Sequence, residues 1–428
     1  MAGLSYVTTG IKAKPDSTYS IPTDESIGAM LFDISGFAKP FDGYPLLYNN
    51  FKNNKIQCVK NLDDASLIGI VNDSFLNGML YYHVSQFYKM VDKEQALYIC
   101  IADCTDNWDV LQYMQQQVNG KLFQIGVWTS QPIWNKKSDG NIGFTSLITD
   151  LQAQANEING QVGERTFTMI PLSIMLCGNS NYIGGDTVNY KTLPDALTLK
   201  CPKVSVILAQ NGSDDVHKMQ EANPNQAPVS SLGLLMACLA LCGAEESIAS
   251  LKKYDLNQNE DFNNPELGFG DSYTPLKNVN RIRANLLSEK GYIIPIDYEG
   301  LEASYFFSSD QTLSEGDFRT IANNRVMHKC RRAACTALLP YINSDQMYDT
   351  SSKNISVTAI AIITDSINTI LDSVMRNKEG QTQIDGRVVE FQESKDLLNR
   401  DSISMKLTIT PVDSSDELSE TVSHDINQ

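Results

Sequence analysis

The chain has 428 residues, 42% of them hydrophobic, and carries a formal charge of −17 at pH 7. That length can bury a large core in two or three packed lobes, and ordinary Gly, Pro and aromatic content excludes fibrous and disordered classes. The acidic balance, with a pI near 4.7, argues against nucleic acid or an anionic membrane as partner, because both demand basic patches.

Residues 1–24 are polar, with the β-formers Tyr6 and Val7 followed by Gly10, and with Pro15 and Pro22. They show no helical period and read as an extended arm with no core of its own. The start Met1-Ala-Gly-Leu-Ser-Tyr lacks the basic and apolar regions of a signal peptide, so the expectation is a protein made in a cytoplasm.

Order is expected from Ile27, with IGAMLFDIS as a first strand. Asp73 reads as an N-cap, and Leu76, Leu80, His83, Val84, Phe87 and Val91 follow at helical spacing, which predicts a helix over 74–91. ALYICIAD (96–103) and KLFQIGVWT (121–129) are near-continuous apolar runs of the kind found in buried parallel strands. Helices are expected around Trp108–Val118 and Phe144–Ile158, and further strands at 168–178 and 203–210. This alternation predicts an α/β lobe over 25–280, with polar loops at 211–228 and 254–280 and a buried helix over 229–253.

A second unit is expected over 281–411. It contains a helix (281–289), strands at GYIIPIDY and LEASYFFS, a helix over about 315–337, a long helix carrying Ile362 to Val374, and the strand GRVVEF. In SISMKLTITP, Ile403, Met405, Leu407 and Ile409 alternate with polar residues, the mark of a strand buried on one face. Residues 412–428 carry five acids and no Lys or Arg, and read as a mobile acidic tail. The fold class is therefore α/β (α+β), with mixed sheets flanked by helices and extended N- and C-terminal arms.

No chemistry-bearing constellation stands out. GxGxxG and GxxxxGK[ST] are absent, and Leu176-Cys-Gly-Asn-Ser180 lacks the GxSxG of a nucleophile elbow. Cys100 and Cys177 end strands, but no histidine is placed by sequence to activate either. The nine cysteines do not repeat as CxxC pairs and the four histidines are scattered, so no metal, cofactor or catalytic site is expected. An α/β enzyme without a recognisable motif remains an alternative.

Two features point to self-assembly instead. A β-prone arm and an alternating strand near the other end could exchange strands between subunits; a free tail and an ordinary edge strand would look the same. One helix concentrates positive charge, with Arg325, Lys329 and Arg332 at i, i+4 and i+7 on one face. That face is either merely solvated or a patch meeting an acidic neighbour.

The last third of the chain resembles the C-terminal domain of contractile tail sheath proteins. The resemblance is carried by KGYIIPIDYEGLEASYFFSSDQTLS (290–314), FRTIANNRVMHKCRRAACTALLPYIN (318–343), GRVVEF and SISMKLTITPVD. Upstream, NLDDASLIGIVND and ALYICIAD resemble the sheath stretch in which a helix ends before a buried strand, and GLLMACLALCGAEESIASLKKYDL is similar to a shorter sheath-like family of phages and contractile injection systems. The resemblance implies a structural subunit that polymerises helically around an inner tube protein, between baseplate and terminator proteins, and contracts. It implies strand exchange through Tyr6, Val7, Ile403, Met405, Leu407 and Ile409, and contacts to the tube or an adjacent subunit through Arg325, Lys329 and Arg332. It implies neither nucleic-acid binding nor membrane insertion, and places the protein in a virion tail or injection apparatus assembled in the bacterial cytoplasm. Another self-assembling tail component, of tube or baseplate, is the alternative within this class.

Overall fold

The structure is a computed structural model. It describes residues 23–412 and 418–425, apart from 38, 74–75, 92–93, 160–171, 179–191, 223–228, 259–261, 263, 270–271, 279–280, 302, 339, 341–355 and 392–401.

A seven-stranded central sheet organises the first part of the chain. Its strands run, in spatial order, Tyr292–Ile293, Val204–Ile207, Ser173–Cys177, Gln124–Trp128, Gly28–Asp33, Leu97–Ala102 and Ile56–Val59. All neighbours are parallel except the last pair, in which Ile56–Val59 runs antiparallel along one edge. Successive side chains alternate between two cores. Met30 and Phe32 enter one with the helices Leu76–Met90 and Leu232–Leu241; Ala29 and Leu31 enter the other with Val110–Gln117 and Leu147–Ile158. Burial on both faces is why the inner strands Gly28–Asp33, Leu97–Ala102 and Gln124–Trp128 are largely apolar.

Leu232–Leu241 packs closely against Leu76–Met90. A Cβ added at Gly233 would lie 2.2 Å from the main-chain oxygen of His83, so only glycine fits there. The helix stops well short of the expected 253: Cys242 turns extended, and 243–253 continue as turns. The expected loops are also partly structured. Asp214–Ala222 is a helix, and Pro265–Phe269 pairs with Ser272–Pro275.

The run GYIIPIDY is divided between two sheets. Tyr292–Ile293 joins the central sheet, so that sheet takes in a strand from beyond residue 281, whereas Pro295–Asp297 pairs with Tyr305–Phe307. Beyond lie two 18-residue helices, Ile321–Leu338 and Val357–Val374, and a three-stranded terminal sheet. That sheet has the order Ile384–Phe391, Ser402–Pro411, Leu418–Asp425, antiparallel throughout. The tail expected to be mobile thus contributes a strand. Leu418 is buried opposite Ile409, and Val422 stands opposite Met405, an alternation concealed by the intervening acids and hydroxyls.

Val357–Val374 is long and apolar enough, by length and composition alone, to cross a membrane. In this fold Ile363, Ile367 and Leu371 form a buried stripe in the same core as Val326, Cys330 and Ala334 of Ile321–Leu338. Its other side is open, with Val357 84% and Ile362 52% exposed.

Candidate functional site

The helix Ile321–Leu338, called here the cationic helix, lies between the two sheets. Every residue in it except Thr336 is buried. One side, with Val326, Met327, Cys330, Ala333 and Ala334, belongs to the core under the terminal sheet, together with Met405, Leu407 and Ile409. The other side presents its cations to the start of the central strands.

Arg332 donates to the main-chain oxygens of Gly120 and Leu122, both at 2.5 Å, just ahead of Gln124–Trp128. Its guanidinium also stacks 4.0 Å from the Phe123 ring centroid. Burial pulls its pKa down to about 9, so it remains charged at neutral pH. Arg325 donates to the oxygens of Leu239 (2.8 Å), Cys242 (3.3 Å) and Gly243 (3.0 Å), closing the end of Leu232–Leu241, and to Glu25 O at 3.0 Å. These are the orphan carbonyls that any helix leaves at its C-terminus, and a planar guanidinium fork suits several at once. Lys203, at the start of Val204–Ile207, reaches back to Asn324 Oδ1 at 3.0 Å and His328 Nε2 at 3.1 Å. Burial, followed by the charge of Lys203, drives the His328 pKa well below 6.5.

Lys329 forms an ion pair with Glu25 at 2.9 Å and donates to Gln383 Oε1 at 2.6 Å and Arg376 O at 3.1 Å. Gln383 in turn donates to Glu25 Oε1 at 3.0 Å and to Glu245 Oε2 at 2.6 Å. Burial alone would raise the Glu25 carboxyl. Attraction and hydrogen bonding from Lys329 outweigh it, and the pKa falls below the ordinary 4.5.

These contacts correct one expectation. Arg325, Lys329 and Arg332 share a helix face, as their spacing requires, but they are 0%, 3% and 0% exposed and are spent inside the chain. They are not a surface patch for a tube or a neighbour. Sequence reasoning missed Glu25, Lys203 and Gln383, which are far apart in the chain and carry no local motif.

The terminal sheet is differently placed. Met405, Leu407 and Ile409 are buried on its inner face. Ile403 continues the same register, opposite His424. Ser402–Pro411 is the middle strand, so the chain's own strands occupy both of its main-chain edges. Among the described residues, no strand pairs with the outer edge of Ile384–Phe391 or of Leu418–Asp425. The outer face is open as well, with Val388 52% exposed. Arg387 secures the sheet to Val357–Val374 through a two-point contact to Asp372 and a bond to Asn368 Oδ1 at 2.8 Å. Tyr6 and Val7 lie outside the described residues.

Cys100 and Cys177 are 0% exposed, and burial pushes both thiols up to about 12, where almost no thiolate exists at neutral pH. Asp33 is saturated by Ser35, Cys104, Thr129 and Gln131, and ties three loops together. Ser180 lies outside the described residues. Among the described residues, no group of three or more His, Cys, Asp or Glu is placed to hold a metal ion.

Neither a scan against protein-family models nor a search of curated proteins gave a match. Solved structures do match, nearly end to end. The anti-feeding prophage helical sheath in its contracted state superposes with a TM-score of 0.53, covering 97% of this chain and 98% of that one at 11% identity. The sheath complex of the extracellular contractile injection system PVC, also contracted, gives 0.54 over 100% and 99% at 9% identity. The sheath tail protein of Listeria innocua gives 0.50 over 96% and 97% at 8% identity. The fold is that of a contractile sheath protein. Because coverage is nearly complete on both sides, the cationic helix and terminal sheet belong to the shared sheath fold and are not an appended module.

Proposed function

We propose that this chain is the sheath subunit of a contractile tail or injection apparatus, polymerising as a helix of identical copies around an inner tube protein, with baseplate and terminator proteins at its ends. The observation that carries the proposal is the nearly end-to-end likeness to two contracted sheaths. A terminal sheet with two open edges and an open face supports it, because such a sheet gains main-chain hydrogen bonds when another chain adds a strand.

In this reading the segment 1–24 of one copy, through Tyr6 and Val7, pairs with an open edge of a neighbour's terminal sheet. Met405, Leu407 and Ile409 hold that sheet on its own core, while Ile403 keeps the register at the strand's start. The lobe 25–280 and the unit 281–411 then move as the sheath shortens, while the strand links persist.

Negative-stain microscopy of the intact protein beside a deletion of residues 1–24 tests this. Hollow tubes are expected from the first and not from the second. A small, uniform oligomer in both samples would overturn the proposal.

A further inference from the structure

Glu25 directly follows the expected arm (1–24) and lies three positions before the first central strand. It forms a closed triangle with Lys329 and Gln383. Glu25 Oε2 meets Lys329 Nζ at 2.9 Å, Lys329 Nζ donates to Gln383 Oε1 at 2.6 Å, and Gln383 Nε2 returns to Glu25 Oε1 at 3.0 Å. The three residues are 8%, 3% and 0% exposed. Water therefore competes little for these bonds, and breaking one leaves a buried charge or amide unmatched.

The third member also governs the far end of the chain. Gln383 immediately precedes Ile384–Phe391. Its main-chain N–H donates to Met375 O at 3.0 Å, and its main-chain oxygen accepts from Val412 N at 3.2 Å, just past Ser402–Pro411. One residue thus fixes the roots of two terminal strands, and its side chain grips the residue from which the N-terminal segment departs. Glu25 O is separately held by Arg325 at 3.0 Å and by Gln124 Nε2 at 3.3 Å, which keeps the arm root on the central sheet.

The geometry points to a coupler: the Glu25–Lys329–Gln383 triangle ties the root of the N-terminal segment to the root of the terminal sheet, so that the two chain ends loosen or hold together. It rests on the sheath reading for its purpose. If neighbouring subunits pull on residues 1–24, the load passes through this triangle into the terminal sheet. The two links of the assembly mesh are then not independent springs but one element with two handles.

Hydrogen exchange on the full-length, unassembled chain at neutral pH tests the coupler without requiring any polymer. Glu25→Gln keeps the shape and removes the charge at the arm root. Gln383→Met keeps the bulk and removes the amide at the sheet root. Coupling between two sites is reciprocal, so each variant should speed exchange by about tenfold or more at both places: residues 25–28, and the amides of Ile384–Phe391 with Val412. Protection in Leu97–Ala102 should be unchanged. Gln131→Leu, which disturbs the Asp33 cluster at the opposite end of the central sheet, should leave both places as they were. If either variant loosens only its own site, the coupler is wrong. Failure to form tubes under the microscope bears on the sheath reading alone.

Discussion

The central and terminal sheets are finished in opposite ways. The central sheet is covered on both faces, and its strands carry apolar side chains in both directions. Among the described residues, the terminal sheet is covered on one face, Val388 on its outer face is 52% exposed, and no strand pairs with either of its outer edges. Between them the cationic helix presents apolar residues to the terminal sheet, while Arg332 reaches the carbonyls of Gly120 and Leu122 ahead of a central strand and Arg325 closes the end of Leu232–Leu241. A sheet sealed on both sides needs no partner, whereas a half-covered sheet with free edges leaves hydrogen-bonding capacity to be filled from outside. The sealed part is thus scaffold, and the open part is where assembly is to be sought.

The largest expected effect breaks the join between the two. Arg332→Met removes two charge-assisted bonds and leaves the buried carbonyls of Gly120 and Leu122 unmatched, a loss of about 3 to 5 kcal/mol in urea unfolding. Arg332→Lys should recover only part of it, since an ammonium can neither fork to both carbonyls nor stack on Phe123. Leu407→Ala comes next, at about 2 to 4 kcal/mol for a buried cavity. If the sheets differ as described, its effect on hydrogen exchange stays within the terminal sheet and the cationic helix. Spread into Gly28–Asp33 would mean that the two regions unfold as one.

Acid sharpens the comparison because each region buries a neutral histidine. His83, in the central core, has its pKa lowered by burial to about 3, and His328, in the cationic helix, lies well below 6.5. Both unfolded imidazoles bind a proton near pH 6.5 while the folded ones do not. The histidine contribution to stability should therefore be lost as pH drops below 6.5, by about 2 kcal/mol for His83 between pH 7 and 5 and in the same direction for His328. Glu25 adds to the fall only lower down. Its depressed pKa, set in the face of Lys329, Arg325 and Gln383, contributes stability above the unfolded value that is lost as pH drops through the folded one. His83→Phe should remove the His83 share of the slope. The smallest effect is expected from Val388→Thr on the open outer face, under about 0.5 kcal/mol in the isolated chain. A larger loss on assembly would mark that face as contacted.

Much of the scaffold was legible because it obeys simple periodicities. The apolar runs at 96–103 and 121–129 contain the strands Leu97–Ala102 and Gln124–Trp128, and SISMKLTITP has the bounds of Ser402–Pro411. The resemblance to sheath proteins rested on texture, and identities of 8–11% to solved sheaths explain why no sharper motif was there to find. What could not be read was direction. The i, i+4, i+7 spacing of Arg325, Lys329 and Arg332 fixes a shared face but not whether it looks outward, and charged faces usually do. Here the acceptors of Arg325 and Arg332 are main-chain oxygens, which leave no trace in sequence, and those of Lys329 include Glu25 and Gln383, which lie far away along the chain. The split of GYIIPIDY was equally hidden, because one continuous apolar run serves two sheets.

The inward-turned cations also bear on colloidal behaviour. Among the described residues, Lys203, Arg325, Lys329, Arg331 and Arg332 are buried against only three buried carboxylates, Glu25, Asp33 and Glu266. Among the described residues, burial thus removes more positive than negative charge from the surface. At 0.1 M ionic strength such charge is felt over roughly 10 Å. If the chain polymerises as proposed, counterions become silent participants in that growth, which should quicken as salt is added and stall when it is dialysed away.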